Sequence, residues 1–499
     1  MATHTLKHVV FVAGPLWTHV RPNVMFCVRL VEKFPSAYIS VYVFGPIATQ
    51  ASAYIATLPE ATRSRMRIVP SVVDTPIAGP LDVLHSLEKS FKPWITEQIA
   101  IPRSDVDNHV VAAPSWVIED HINGGCSLGN GLPVASWWVA PAASMIQHFG
   151  NPEHGHGGRL YDNILEQLAQ QDPEDQKPVI DIFCELLSDR VVYVPGLPPY
   201  YEHEQMPQIL PHILPMAVQL HSRWNKMREQ MEVAILTGTT EIEPLAIEAC
   251  IGAFTKPIRA FDVGPCVDLP PTAPTQGESD ETIQFLEKSL AELGPHSVMY
   301  ISFGTMFFPL PESARHLEII LEEIVAFGFR IVFSLAAEQA ALSPTFIQKI
   351  SEGGKAIFPK WTKQIQVLEH PAIHYFMTHG GWNSTSEAIV RDVPLIFWPF
   401  GGDQCTNSMQ IAHQHNCGFE LLQIRTGPAK RTAYPNTPIL GTDEAVRDEI
   451  KNILTMSKGA RGAQQRINVK ALGKVVRKSL AKGGSGDVAL EEFGKLIGL

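Results

Sequence analysis

A polar run, His379-Gly380-Gly381-Trp382-Asn383-Ser384, separates two apolar stretches and offers several hydrogen-bond donors at close spacing. Residues 385–390 have helix character, and Glu387 stands three residues after Ser384, the spacing of a capping box. The expectation is a loop that runs into a helix N-terminus, whose free N–H groups and positive dipole end suit a phosphate. A glycine-rich turn with an ordinary N-cap is the plain alternative. Asp403 and Gln404 come after the next apolar run, and each can bind vicinal hydroxyls by paired hydrogen bonds. Far upstream, His19 is a candidate general base. Imidazole titrates near neutral pH, and it serves as a base when a carboxylate fixes its tautomer and ring plane. Asp120 is the candidate partner, with Glu119 beside it as competitor; its alternative is a strand-end turn carboxylate. Among 19 histidines, His19 taken alone reads rather as a loop residue without a role.

These residues need a scaffold. Residues 7–14 read as a buried strand ending at a glycine turn, 15–19 as a loop, and Pro22 suits the first turn of a helix. Residues 37–44, 67–69, 115–120 and 134–139 read as further strands. This alternation predicts a parallel, doubly wound α/β sheet, with His19 and Asp120 on one sheet edge. Residues 151–177 are polar and read as surface, while 266–281 have the Pro, Thr and acid content of a linker. Residues 298–305 and 330–335 open a second βα series. Residues 393–398 read as a short buried strand with Asp403 and Gln404 beyond its C-terminal end, where ligands bind in open α/β sheets.

A chain of 499 residues is too long for one core, so two domains of roughly 200 residues or more are expected. With 45% hydrophobic and 18% charged residues it reads as globular. The net charge of −11 disfavours nucleic acid and anionic membrane as partners, and leaves room for a small anion held by local dipoles. Seven scattered cysteines without metal-ligand spacing read as reduced thiols of a cytoplasmic protein, and no metal site is expected. The first residues lack a long apolar region and no run of about 18 apolar residues occurs, so neither a signal peptide nor a membrane span is expected.

Residues 361–404 resemble the signature box of the family 1 UDP-dependent glycosyltransferases of small molecules, best known from plants. Trp361, Gln364, His370-Pro371, Phe376, Thr378-His379, Gly381-Trp382-Asn383-Ser384, Glu387, Pro394, Trp398-Pro399 and Asp403-Gln404 fall in register over forty-four positions without a gap. Gly380 differs from the Cys usual in plant members. The resemblance implies two facing Rossmann-like domains with parallel sheets, the GT-B fold. The expected layout is an acceptor domain over 1–255, a linker over 256–296, a UDP-sugar domain over 297–475, and a last helix, 476–499, packing back on the first domain. Residues 193–198 resemble the family's PGLP turn, and 234–239 the last strand of its first domain.

By the same resemblance, His19 is the catalytic base and Asp120 orients it. His379, Asn383, Ser384 and Thr305 contact the diphosphate, Trp361 stacks on uracil, and Gln364 and Glu387 surround the nucleoside. Trp382, Asp403 and Gln404 contact the sugar. Trp17, Trp138, Met145, His148 and Phe149 are candidate acceptor lining, with plain core packing the alternative for each. Val139 stands where many relatives carry Thr or Ser, which leaves the choice of hexose open. The implied enzyme is an inverting, metal-independent hexosyltransferase, acting as a monomer with UDP-glucose as co-substrate and no resident cofactor, on a hydroxyl of a phenolic, flavonoid, terpenoid or sterol-like molecule. A UDP-sugar epimerase or hydrolase on the same fold, and a non-catalytic UDP-sugar-binding protein, are the competing classes.

Overall fold

The computed structural model describes the chain except residues 1–4, 74–75, 78, 107–108, 157–159, 173, 212, 255 and 272–279. Residues 272–279 of the expected linker therefore lie outside the described residues. The chain divides into two compact units: Met1–Leu186, Pro211–Val267 and Ser479–Leu499 form the first, Leu187–Leu210 and Asp268–Lys478 the second.

The strands of the first unit are β1 Leu6–Val12, β2 Ala37–Val43, β3 Met66–Pro70, β4 Arg103–Val106, β5 His109–Asp120, β6 Val134–Trp138, β7 Val233–Leu236 and β8 Arg259–Asp262. They run in the order β8-β7-β6-β5-β1-β2-β3, every neighbouring pair parallel. β2 is buried along its whole length, as a strand covered on both faces requires. Two features differ from expectation. β8 extends the sheet past β7, so the strand within 234–239 is not the last. β4 is antiparallel to β5: the 12-residue β5 outruns its neighbours, and a short hairpin partner takes up the free backbone of its first half.

The helix Trp17–Lys33 also differs. It starts five residues before Pro22, because the N–H groups of His19 and Val20 both reach the Leu16 carbonyl at 2.9 Å. The buried spacing Val20, Val24, Cys27, Val31 carries the apolar stripe upstream of the proline, which forgoes only one i to i−4 bond. His19 is therefore a helix residue and not a loop residue. Phe26 anchors this helix in an aromatic core with Phe11, Trp137 and Phe493 at centroid distances of 6.0, 4.5 and 6.2 Å. Phe493 belongs to the helix Ser485–Leu496 and also meets Phe261 at 5.6 Å.

The second unit has β9 Val298–Ser302, β10 Arg330–Ser334, β11 Ala356–Ile357, β12 Ile373–Thr378, β13 Leu395–Phe397 and β14 Gly418–Glu420. All pairs are parallel, in the order β11-β10-β9-β12-β13-β14. Leu187–Leu210, inside the span expected to form the first domain, belongs here. Long-range hydrogen bonds hold it: Gln208 Nε2 donates to Ile424 O at 2.9 Å, and Ile209 N to Thr426 Oγ1 at 2.9 Å. Arg425 is buried between Glu204 and Glu420, at 2.8 and 2.9 Å. Among the described residues no helix is long and apolar enough to cross a membrane.

Candidate active site

β1 and β5 are neighbours in parallel register, Val12 opposite Glu119, so their carboxyl ends lie side by side. Asp120 ends β5, and the chain leaving β1 turns at Gly14 into the helix that carries His19 on its first turn. His19 Nδ1 lies 2.9 Å from Asp120 Oδ2. The same oxygen accepts from Asn23 Nδ2 at 3.2 Å, and Oδ1 accepts from the Ile122 N–H at 3.2 Å. Asp120 is 1% exposed, while the His19 side chain keeps 19% of its surface open. An ionised carboxylate only accepts, so the ring proton sits on Nδ1 and the Nε2 lone pair is the basic site.

Glu119 is excluded as the partner by strand alternation, which sends it to the opposite face. Its carboxylate accepts from the N–H groups of Cys126 and Ser127 at 2.8 and 3.0 Å and from the Ser127 hydroxyl. Burial pushes its pKa up against those donors. Asn23 escaped the sequence reading. It stands one turn after His19, a relation that shows only once the helix begins at Trp17.

Gly14 fits this pair closely. A Cβ there would lie 2.8 Å from His19 Cβ, 3.0 Å from Asp120 Oδ2 and 2.9 Å from Ile122 Cγ2, which can turn aside less readily than it would need to spare the pair. Gly14→Ala must displace one of the two, and a misplacement of about 1 Å at a catalytic group costs up to about a hundredfold in rate. The expected result is a kcat lowered about 10- to 100-fold with a thermal midpoint that moves little. Wild-type turnover in this variant would show that the pair tolerates displacement.

In the second unit the segments after β9, β11, β12 and β13 carry the remaining predicted residues. The helix Trp382–Ile389 has Gly381 at its N-cap and no side-chain cap. The capping box from Ser384 to Glu387 therefore does not form; both residues lie inside the helix. The reason is Asp403, whose Oδ2 accepts the Trp382 N–H at 3.0 Å and so serves the helix start from a distant loop. Asn407 Nδ2 donates to the same oxygen at 2.8 Å. Glu387 meets Gln364 instead: Gln364 Nε2 is 2.8 Å from Glu387 Oε2 and 3.3 Å from Ser384 Oγ, and Gln364 Oε1 accepts from Tyr300 at 3.2 Å. Gln404 Oε1 accepts the Phe400 N–H at 2.8 Å.

His379 follows β12. Its Nδ1 is 3.2 Å from Thr378 Oγ1, Phe307 stacks on its ring at 5.7 Å, and a Cβ on Gly381 would come within 2.6 Å of Nε2. Burial lowers its pKa to about 4, so the ring is neutral at pH 7. Neither Tyr300 nor Phe307 was singled out by the sequence, since nothing in their spacing marks them. Thr305 is exposed and Asn383 half-buried. Trp382 is 4% exposed, its indole packed in the unit's interior, whereas Trp361 is 65% exposed and presents an open aromatic face.

Of the five candidate lining residues, Trp138, His148 and Phe149 come together around His121, with Trp138 5.2 Å and Phe149 4.9 Å from the His121 ring. Met145 is fully buried. Trp17 packs edge-on against Tyr54 instead, at 6.5 Å. Among the described residues no group of three or more His, Cys, Asp or Glu could hold a metal ion.

The family model described as UDP-glucoronosyl and UDP-glucosyl transferase matches residues 272–426. The chain is 24% identical to UDP-glycosyltransferase eriJ of Hericium erinaceus, with 90% of each chain covered. Among solved structures it is similar to a UGT transferase from Siraitia grosvenorii in complex with UDP, at a TM-score of 0.71 and 19% identity, covering 98% of this chain and 99% of that one. It is likewise similar to Medicago truncatula UGT71G1 complexed with UDP-glucose, at a TM-score of 0.71 and 17% identity, covering 99% and 98%. Both are GT-B folds, the class to which the two Rossmann-like units belong.

Proposed function

We propose, for a chain that belongs to the family 1 UDP-dependent glycosyltransferases and so transfers a glycosyl group from a UDP-sugar, that the sugar is glucose and that a His19–Asp120 pair activates a hydroxyl of a hydrophobic small molecule. The observation that carries this reading is the 2.9 Å contact between His19 Nδ1 and the buried Asp120 carboxylate. His19 Nε2 takes the hydroxyl proton as the oxygen attacks the anomeric carbon. Asp120 keeps the proton on Nδ1 and stabilises the imidazolium that forms. The first unit takes the acceptor and the second the donor.

In the second unit, Trp361 offers its open face to uracil, and Gln364 and Glu387 take the ribose hydroxyls. The N-terminal end of the helix Trp382–Ile389, with His379, Asn383, Ser384 and Thr305, receives the diphosphate. Asp403 and Gln404 receive the sugar hydroxyls, together with the Trp382 region. Glucose is supported by the Asp-Gln pair, which suits equatorial hydroxyls, and by the UDP-glucose held in the Medicago structure. No step in this account needs a metal, because fixed N–H donors and helix dipoles face the departing UDP.

An assay of UDP-sugars against a panel of phenols and alcohols tests the reading. A single displacement turns an α-linked donor into a β-glycoside, which proton NMR reads as a large anomeric coupling. UDP-glucose should be preferred to UDP-galactose by roughly tenfold to a hundredfold, since an axial hydroxyl leaves a buried partner unpaired. The rate should survive a chelator of divalent cations. An α-linked product, or conversion of the UDP-sugar without any acceptor, would overturn the proposal in favour of double displacement or of an epimerase or hydrolase.

A further inference from the structure

The carboxylate that orients His19 is shared with a second side chain. Asn23 Nδ2 donates to Asp120 Oδ2 at 3.2 Å, the oxygen that His19 Nδ1 meets at 2.9 Å. His19 and Asn23 stand one turn apart on the helix Trp17–Lys33, so both reach the end of β5 from one face. An ionised carboxylate only accepts, so the amide must present its nitrogen. Asn23 is fully buried, and it interrupts an apolar stripe of Val20, Val24, Phe26 and Cys27. Its Oδ1 has no hydrogen-bond partner among the described residues. Burying an amide that is only half satisfied costs stability, and a leucine of similar size would not carry that cost. The packing of the helix alone gives no reason for asparagine there.

The reason lies in Asp120 Oδ2. Such an oxygen offers about two acceptor directions. Asn23 takes one and leaves the other for the imidazole, which fixes the side from which the His19 ring approaches. Asp120 Oδ1 is tied in turn to the Ile122 N–H at 3.2 Å, so both ends of the carboxylate are held against rotation. The chain builds this arrangement twice. His221 Nε2 lies 2.9 Å from Asp162 Oδ1, and Asn225, one turn further along the helix Leu214–Gln230, donates to that oxygen at 2.6 Å. Burial there works to raise the Asp162 pKa, and the bonds from His221 and Asn225 outweigh it, so the value is lowered. An asparagine one turn after the histidine thus helps to hold a carboxylate as the anion.

We infer that Asn23 is a positioning residue for the transfer reaction: it holds Asp120 in the orientation that aims His19 Nε2 at the hydroxyl, and it acts only through that pair. The inference rests on the proposed role of His19 as the base. As His19 takes up the hydroxyl proton, Asp120 must meet the new cation without turning, and the bond from Asn23 keeps it still. Two consequences separate this role from packing. Without Asn23 the loss falls on acceptors that need a base, and it vanishes once His19 is gone. The ranking of substitutions by rate also departs from their ranking by stability. Leucine fills the site and excludes water, so Oδ2 loses a donor outright. Alanine leaves room for about one water molecule beside the carboxylate, and that water donates in place of the amide.

The test uses the full chain, the UDP-sugar it turns over fastest, and two acceptors, an alkyl alcohol and an acidic phenol. Asn23→Leu is expected to lower kcat for the alkyl alcohol by about 10- to 100-fold, the range for a misdirected catalytic group. The KM for the UDP-sugar should not change, and the loss on the phenol should be smaller. The thermal midpoint of this variant should equal or exceed that of the wild type. Asn23→Ala should be less stable than Asn23→Leu and yet faster. The double variant His19→Ala with Asn23→Leu should be no slower than His19→Ala alone, because the two residues act as a unit. A full-rate Asn23→Leu beside a slow His19→Ala overturns the inference alone. Equal losses on both acceptors, an additive double variant, or rates that follow stability overturn it as well, since each marks a packing role. Failure of both Asn23 variants to fold does the same by making Asn23 structural. A full-rate His19→Ala overturns the proposed function, and the inference with it.

Discussion

Replacing His19 with Ala should lower transfer to an alkyl-alcohol acceptor by about 10²- to 10⁴-fold, the usual worth of general base catalysis, while the protein stays folded and binds UDP as before. Folding should survive because the His19 side chain is partly open and makes no core contact comparable to Phe26, four residues further than Pro22. UDP binding should survive because the residues proposed to hold the donor belong to the second unit. An acidic phenol should lose less, since it ionises in part without help. Steady-state kinetics on both acceptors, with calorimetry of UDP, separates the cases. Unchanged turnover of the alkyl alcohol would remove His19 from the chemistry, and lost UDP affinity would mean a structural effect.

Replacing Arg425 with Met should destabilise the second unit by about 3–5 kcal/mol, the range for breaking a buried ion pair on one side only. Arg425 is 4% exposed and lies between two carboxylates that are 7% and 5% exposed, so both are left uncompensated. The pH dependence follows from Glu420. Burial alone would raise its pKa, but the His413 hydrogen bond and the Arg425 charge outweigh that and hold it at about 2. A carboxylate with a depressed folded pKa adds stability above its unfolded value of about 4.3, and that stability is lost as the pH falls towards 2. Wild type and variant should therefore differ most near neutral pH and converge in acid. Adding Glu204→Gln and Glu420→Gln should restore much of the loss. Denaturant unfolding at several pH values checks this, and a penalty constant from pH 7 to pH 3 would exclude the charge account.

The parts legible in sequence are those where chemistry depends on position along the chain. The spacing from Trp361 to Gln404 keeps its meaning because β12, a helix and β13 follow one another within it, and each places the next loop at the same sheet edge. His19 and Asp120 could be paired in advance because β1 and β5 end at one sheet edge, Asp120 closing β5 and His19 following the end of β1. The parts that stayed hidden depend on groups far apart in sequence. The helix at Trp382 starts early because Asp403, from the loop after β13, supplies an acceptor that no local pattern shows. Leu187–Leu210 joins the second unit through Thr426 and Ile424, more than 200 positions away. Pro22 misled for a local reason: proline favours a first turn but tolerates a later one, and the apolar stripe beginning at Val20 was the better guide.

The return of the helix Ser485–Leu496 to the first unit bears on the order in which the molecule can be made. On the ribosome, β1 to β8 emerge long before Phe493, and until then the ring cluster of Phe26 and Phe261 lacks one wall. All of the second unit after Asp268 is synthesised in that interval. Nascent chains must therefore carry an unfinished apolar surface while the second unit is made, and the unit that begins first is the one that can be completed only last.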